Sequence, residues 1–313
     1  MKAVRIYAYG ESDVLTYEDV SVPTCNDNEV LIRVHAAGVN PVDWKTRIGR
    51  GIAGNIESFP VILGWDVSGV VEHVGARVVG LSVGDDVYGM VSFPQIGGAY
   101  AEYTTAPAAH LAHKPASLNH VQSAALPLAV LTAWQALFDT ADLRAGQTVL
   151  IHAAAGGVGH FAVQLAKWKG AYVIGTASSA NVAFLRELGI DEVIDYQNTR
   201  FEDVVRDVDV VLDGVGGDVL ERSVSVLKPG GILVTILPED TDTAKSLAQA
   251  HGARGTSIMV GPNQQQLVQI ARLVDDGHIK PVIDTVLPLD EVRIAHAMSF
   301  GGHTRGKIVL QVR

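Results

Sequence analysis

The sequence predicts an α/β protein of two parts, a β-rich domain and a doubly wound parallel sheet with helices on both faces. Three observations lead there. Residues 1 to about 120 alternate short β-branched runs with glycine, proline and aspartate. Short apolar strands then alternate with segments at helical spacing, the mark of a parallel sheet covered on both faces. The first of those strands runs into a glycine cluster at the point where a helix begins.

Taken in order, Met1-Lys2-Ala3-Val4-Arg5-Ile6-Tyr7 reads as a first strand, without the charged leader and apolar run of a signal peptide. Runs at 29–36, 67–74 and 86–90 have the composition of short strands in a compact, mostly antiparallel domain, with a turn-rich link at 80–86. The pattern changes near Ala124. Residues 126–138 look helical and 148–153 form a short apolar strand. Helices are then expected over 161–169, 181–188, 201–205 and 219–227, and strands over 171–176, 192–194, 208–212 and 231–236. The tail carries a helix at 264–275 and strands at 283–287 and 307–312. Assigning the tail to the first domain gives 1–123 with 267–313 as one domain and 124–266 as an insert.

Composition narrows the function classes. Apolar residues make up 48% of the 313, which suits a packed core and argues against disorder. With 24 basic and 34 acidic side chains the formal charge is -10, unsuited to broad nucleic-acid binding or to an anionic membrane. Cys25 is the only cysteine, so neither an internal disulfide nor a thiolate zinc site can form, and a reducing, cytoplasmic setting is expected. No stretch is long and apolar enough to span a bilayer.

The feature that carries chemistry is Ile151-His152-Ala153-Ala154-Ala155-Gly156-Gly157-Val158-Gly159. In the dinucleotide fingerprint, glycines permit a tight turn, let a pyrophosphate approach the backbone and bring helix and strand close. Ala154 stands at the first glycine position, and Gly156 and Gly159 supply the other two. The pyrophosphate is expected on the helix N-terminus, held by free N–H groups. The next strand ends in Gly175-Thr176-Ala177-Ser178-Ser179, without the carboxylate that accepts ribose hydroxyls in NAD-specific sites. Hydroxyls of Thr176, Ser178 and Ser179 can donate to a 2′-phosphate, so NADPH is expected; the two serines equally suit a helix cap.

The whole chain resembles the medium-chain dehydrogenase/reductase superfamily, and within it the zinc-independent quinone oxidoreductase branch. The stretches that carry the likeness are Ala36-Ala37-Gly38-Val39-Asn40-Pro41-Val42-Asp43, Leu63-Gly64-Trp65-Asp66-Val67, Gly97-Gly98-Ala99-Tyr100-Ala101-Glu102-Tyr103, Leu131-Thr132-Ala133-Trp134, the glycine cluster, and Gly306-Lys307-Ile308-Val309-Leu310. The resemblance implies a GroES-like, partly open β-barrel domain with a Rossmann domain, and a homodimer. Zinc-dependent members carry a Cys within the first stretch and a Gly-His-Glu in the second; here these read Asn40 and Gly64-Trp65-Asp66.

By the same likeness, Asn40 and Thr132 lie near the nicotinamide, and Ala155, Gly156, Gly157 and Val158 form the pyrophosphate loop. Ser178 faces the adenosine phosphate, and Tyr196 packs by the adenosine half. Asp213, Gly214, Ile236 and Leu237 border the cofactor, and Lys307 approaches the nicotinamide end. Bland readings stand beside these: a turn at Asn40-Pro41 or Asp213-Gly214, a surface aromatic at Tyr196, a strand-opening residue at Lys307. Trp65 either fills the core or walls a substrate cleft, and Asp43 either orients its neighbours or anchors the helix that follows. With no metal or activated nucleophile in view, the cofactor must do the chemistry while the protein positions and excludes water. The expected reaction is hydride transfer from NADPH to a quinone, with Asn40, Asp43 and Thr132 as positioning residues. Alternatives are reduction of the double bond of a 2-alkenal, 2-enone or enoyl thioester, a zinc-free alcohol dehydrogenase, and a non-catalytic NADPH-binding protein.

Overall fold

The computed structural model describes residues 1–313. They form two compact units, Met1–Leu131 with Gly261–Arg313, and Thr132–Val260. The patterning put the divisions near 123 and 266. The first falls later because the helical segment after 119 packs on strands of the first unit.

In the first unit, β1 (Lys2–Ile6) pairs antiparallel with β2 (Thr16–Asp19). Next come β3 (Glu29–Val39), the longest strand with eleven residues, and α1 (Pro41–Arg47). β4 (Val61–Ile62) completes a three-stranded sheet in the order β2-β1-β4. β5 (Asp66–Val74), β6 (Asp86–Met90), β7 (Tyr103–Pro107) and β8 (Leu111–His113) build outward from β3. Two helices follow, α2 (His120–Ala124) and α3 (Pro127–Trp134).

The alternation in β3 sends Val30, Ile32, Val34 and Ala36 inward. Each of the larger three contributes about 1.5–3 kcal/mol by leaving water. Gly38 has a separate reason: a Cβ there would lie 2.4 Å from the carbonyl oxygen of Ala124, so only glycine lets α2 sit this close.

The second unit is an alternating run. Its elements are β9 (Thr148–Ile151), α4 (Gly159–Trp168), β10 (Tyr172–Ala177), α5 (Val182–Glu187), β11 (Glu192–Asp195), α6 (Phe201–Val204), β12 (Val208–Asp213), α7 (Gly217–Ser223), β13 (Leu227–Thr235), α8 (Thr241–Ala250) and β14 (Arg254–Ser257). All six strands are parallel, in the order β11-β10-β9-β12-β13-β14. This is the doubly wound order, whose direction reverses between β9 and β12; ligands of such sheets bind at the carboxyl ends of the strands beside that reversal.

The chain re-enters the first unit through α9 (Gln264–Asp275), β15 (Ile283–Pro288), α10 (Val292–Gly301) and β16 (Lys307–Gln311). They complete a seven-stranded sheet, β15-β16-β3-β5-β6-β8, with β7 on the first half of β3. Register then decides the site. Val39 pairs with Ile308 and Gly38 with Asp66, so the end of β3 and the starts of β5 and β16 meet at one corner. No helix of the protein is long and apolar enough to cross a membrane.

Candidate active site

That corner of the first unit brings together Asn40, Asp43, Asp66, Tyr100 and Lys307, all with 4% exposure or less. Asn40 precedes α1, and its backbone N–H donates to Asp43 Oδ2 at 2.6 Å, which ties the first turn of the helix to its cap. The same Oδ2 accepts the Tyr100 hydroxyl at 2.6 Å. The Asn40 side chain is held from both ends. Its Oδ1 accepts from Lys307 Nζ, which also donates to the Val39 carbonyl at 2.9 Å, and its Nδ2 donates to Asp66 Oδ2 at 2.9 Å. Asp66 Oδ1 accepts the Leu128 N–H at 2.8 Å, in the first turn of α3, where a carboxylate also meets the positive end of the helix.

Two carboxyls share one ammonium here, with Lys307 Nζ 3.8 Å from Asp66. Burial pushes Asp43 up to about 7, with the Asp66 charge adding to it and the bonds from Tyr100 and Asn40 opposing. Burial pushes Asp66 up to about 6, against the pull of Lys307 and Asn40. Burial lowers Lys307 and the two carboxylates hold it up. A closed group of this kind is neutral with one extra proton, and Asp43 is where that proton belongs, since Lys307 pairs with Asp66.

In the second unit, the loop between β9 and α4 is tightly turned. Its left-handed residue is Ala153, with φ of 48°, one place before the alanine that replaces the first glycine. A Cβ on Gly159 would fall 2.3 Å from the Ala153 carbonyl, and one on Gly175 would fall 2.7 Å from the Ala154 Cβ; both glycines keep helix and strands close. At the helix start the amides of Gly157 and Val158 meet no protein acceptor. Unpaired N–H groups at a helix N-terminus fit an anionic pyrophosphate, so these residues suit a dinucleotide.

At the end of β10, Ser178 is half-buried and stands at the cap position of the turn Ser179–Asn181, yet makes no capping bond. Its oxygen accepts from Asn181 Nδ2 at 3.2 Å, leaving the hydroxyl hydrogen to donate. Ser179 is exposed and reaches Gln197 at 3.4 Å. Tyr196 is 59% exposed, its N–H bonded to the Ala177 carbonyl at 3.2 Å, which sets it beside the end of β10. Arg200, four residues beyond Tyr196, is engaged with Glu202 at 2.6 Å.

Residues 26–116 match the alcohol dehydrogenase GroES-like domain family, and residues 188–310 the zinc-binding dehydrogenase family. The 2-methylene-furan-3-one reductase of Solanum lycopersicum is 37% identical over 99% of this chain and 79% of its own length. The NADPH-dependent alkenal/one oxidoreductase, chloroplastic, of Arabidopsis thaliana gives the same figures. The structure of the quinone oxidoreductase from Coxiella burnetii superposes with a TM-score of 0.96 at 39% identity, covering 100% of this chain and 99% of that one. The chain belongs to the quinone-oxidoreductase-like family of the medium-chain dehydrogenase/reductase superfamily. It is a zinc-independent, nicotinamide-dependent oxidoreductase of GroES-like and Rossmann-like domains.

Within that family this chain departs from its zinc-binding relatives at the ligand positions themselves. Asn40 and Trp65 are no zinc ligands of the usual kind, Asp66 is engaged by Lys307 and Asn40, and no group of three His, Cys, Asp or Glu side chains is arranged to hold a metal.

Several expected site residues are placed inward. Trp65 is fully buried, and its indole N–H donates to the Gln95 carbonyl at 2.7 Å, so it fills core beneath the site and presents no cleft wall. Thr176 is buried with its hydroxyl on His152 Nδ1 at 3.0 Å, where it is not available to a phosphate. That contact has a direction. Ser223 donates to the Val219 carbonyl at 2.6 Å and so accepts from His152 Nε2 at 2.9 Å, which leaves Nδ1 to accept from Thr176. Burial pushes His152 down to about 3, in keeping with a neutral ring. Asp213 accepts from the amides of Val215 and Gly216 and from Thr235, shaping the loop after β12 from within. Lys307 lies beneath Asn40 and reaches a ligand only through it. Thr132 and Ala155 are nearly buried, at 5% and 6% exposure. Gly214, Ile236 and Leu237 keep part of their surface open at the strand ends.

Sequence reading passed over Asp66 and Tyr100 as site residues. The signal for Asp66 was a carboxylate opening a strand rich in valine; Tyr100, beside a glycine turn, carried none.

Proposed function

We propose that the chain oxidises NADPH and reduces a quinone, the hydride passing directly to the acceptor. The reading rests on the likeness to the Coxiella burnetii quinone oxidoreductase over the full length. A second reading, reduction of the double bond of a 2-alkenal or 2-enone, is favoured by the two plant relatives at 37% identity. NADPH rather than NADH is supported by the absence of a carboxylate at the end of β10 and by the free Ser178 hydroxyl hydrogen. The net charge of -10 and the single cysteine support a cytoplasmic protein that acts on a small molecule, and the family supports a homodimer.

When bound, the reduced nicotinamide supplies the hydride. The unpaired amides of Gly157 and Val158 would hold its pyrophosphate, the Ser178 hydroxyl would donate to the 2′-phosphate, and the exposed Tyr196 would lie by the adenosine half. Gly214, Ile236 and Leu237 offer backbone and apolar surface along the strand ends. Asn40 has one Nδ2 hydrogen beyond the one it gives Asp66, and its orientation is fixed by Lys307 and Asp66, so it would serve as a positioning residue for the nicotinamide. Both acceptor classes need one proton after the hydride, which no strongly acidic side chain has to supply.

The test is initial rates of NADPH oxidation by chelator-treated protein, with an ortho-quinone and a 2-alkenal side by side and NADH as control. Turnover of the quinone with NADPH is the expected result. Turnover of the alkenal alone moves the assignment to double-bond reduction. Silence with both, while NADPH binds, overturns the enzymatic reading.

A further inference from the structure

Behind the Asn40 corner, α1 and α10 enclose a set of polar atoms that no protein group satisfies: Asp43 Oδ1, Trp44 Nε1, Arg47 Nε and Nη1, and both nitrogens of His296. These are not surface groups. Asp43 and His296 have no exposure, and Arg47 has 4%. Nearly all buried polar groups in folded proteins find a partner, and where the protein gives none an ordered water does. An orphan costs about 1–3 kcal/mol, more if charged, so six on two facing helices would be a heavy burden in a dry core.

The orphans lie on two helices that meet, with the Trp44 ring of α1 edge-on to the Phe300 ring of α10 at 5.0 Å. The Tyr100 ring, whose hydroxyl is on Asp43, lies edge-on to the His296 ring at 5.8 Å. His296 senses the charge of Arg47. Arg47 Nη2 lies 3.8 Å from Glu11, whose side chain is 88% exposed. These contacts link Asp43, through Tyr100, to His296, Arg47 and the exposed Glu11.

The two oxygens of Asp43 are unequal. Oδ2 accepts from Asn40 N–H and from Tyr100, so a proton on the carboxyl must sit on Oδ1, itself one of the unsatisfied atoms. We propose that water bridges Asp43 Oδ1, His296 and Arg47, and that this chain exchanges the Asp43 proton with solvent at Glu11, making Asp43 a refillable proton store of the active site. The proposal rests on the reductase reading for its purpose, to return the proton that each reduction consumes, but not for its test.

The balance is simple. The carboxyl releases a proton to the first water and becomes carboxylate; the chain passes one proton outward, with His296 accepting at one nitrogen and releasing from the other. Refilling runs the same steps in reverse. Burial and the Arg47 charge hold His296 down to about 3, so imidazolium does not accumulate and block the path. The groups that bias Asp43 are Asp66 from β5, Lys307 from β16, and Tyr100 and Asn40, which donate to it. Those that bias the outer end are Glu11 and Asp13, which face Arg47.

The experiment is infrared spectroscopy of the full-length protein on transfer to heavy water, with no substrate present. A carboxylic-acid band that Asp43→Asn removes is expected on the acid side of about 7, and it shifts within the exchange time of the wild type. His296→Leu fills the space with apolar atoms and should slow that shift at least roughly tenfold, while His296→Gln, which keeps a donor and an acceptor, restores much of it. An unchanged rate in His296→Leu overturns the path. A missing protonated band at every pH overturns the proton store. Native circular dichroism and melting of each variant separate a slowed path from a lost fold. Because no turnover is involved, a chain that exchanged as expected yet reduced neither acceptor would leave this proposal standing and remove the reductase reading.

Discussion

Lys307→Met is expected to cost about 3–5 kcal/mol of stability near pH 8, and much less near pH 4. The substitution keeps the bulk of the stem and removes the only cation beside two buried carboxyls. In the unfolded chain both titrate near 3.8; in the folded protein Asp43 is at about 7 and Asp66 at about 6, and without the ammonium both rise further. Within that window the folded state holds protons that the unfolded state has lost, so stability falls as pH rises, and the variant extends the window upward. Below it, what remains is about 1–3 kcal/mol for the unpaired Val39 carbonyl and Asn40 Oδ1. His152 and His296, both held down to about 3, act with the opposite sign between there and 6.5, but they do so in both proteins and cancel in the difference. Denaturant melts across pH check this; a loss independent of pH would contradict the ion-pair account of the corner.

Ser178→Asp is expected to weaken NADPH binding roughly a hundredfold while NADH is weakened little or gains, because a like charge against the 2′-phosphate costs about 2–3 kcal/mol. The side chain is half-buried at the end of β10 and free of any capping bond, so aspartate takes its place without unfolding the turn. Titration of nucleotide fluorescence gives both constants. Equal weakening of the two nucleotides would mean that the 2′-phosphate lies elsewhere.

The fold was legible where side chains are apolar and periodic. The strands β3, β5, β6, β9, β10 and β12 and the helices α4 and α9 lie within a few residues of their expected places. α8 escaped because the residues it buries are Ala244 and Ala248, which carry almost no hydrophobic signal. β14, with the sequence Arg254-Gly255-Thr256-Ser257, is a strand by virtue of pairing with β13 rather than by composition. The glycine loop was readable because its requirement is local. The Asn40 corner was not, since the register of β3 with β5 and β16 joins residues far apart in sequence. The same register turned Lys307 from an expected cofactor contact into a support beneath Asn40. His296 had one readable trace, a histidine on the apolar face that Val292 and Ala295 define.

Hydride is expected to move directly from NADPH to the acceptor without a metal. The most direct measurement uses NADPH deuterated at C4 with chelator-treated protein and a 2-alkenal or ortho-quinone, and locates the label in the product. Deuterium on the β-carbon of the alkanal, or a primary isotope effect on quinone reduction, is the predicted result. Activity that disappears with chelator and returns with added zinc, or label lost entirely to water from the alkenal product, would contradict it.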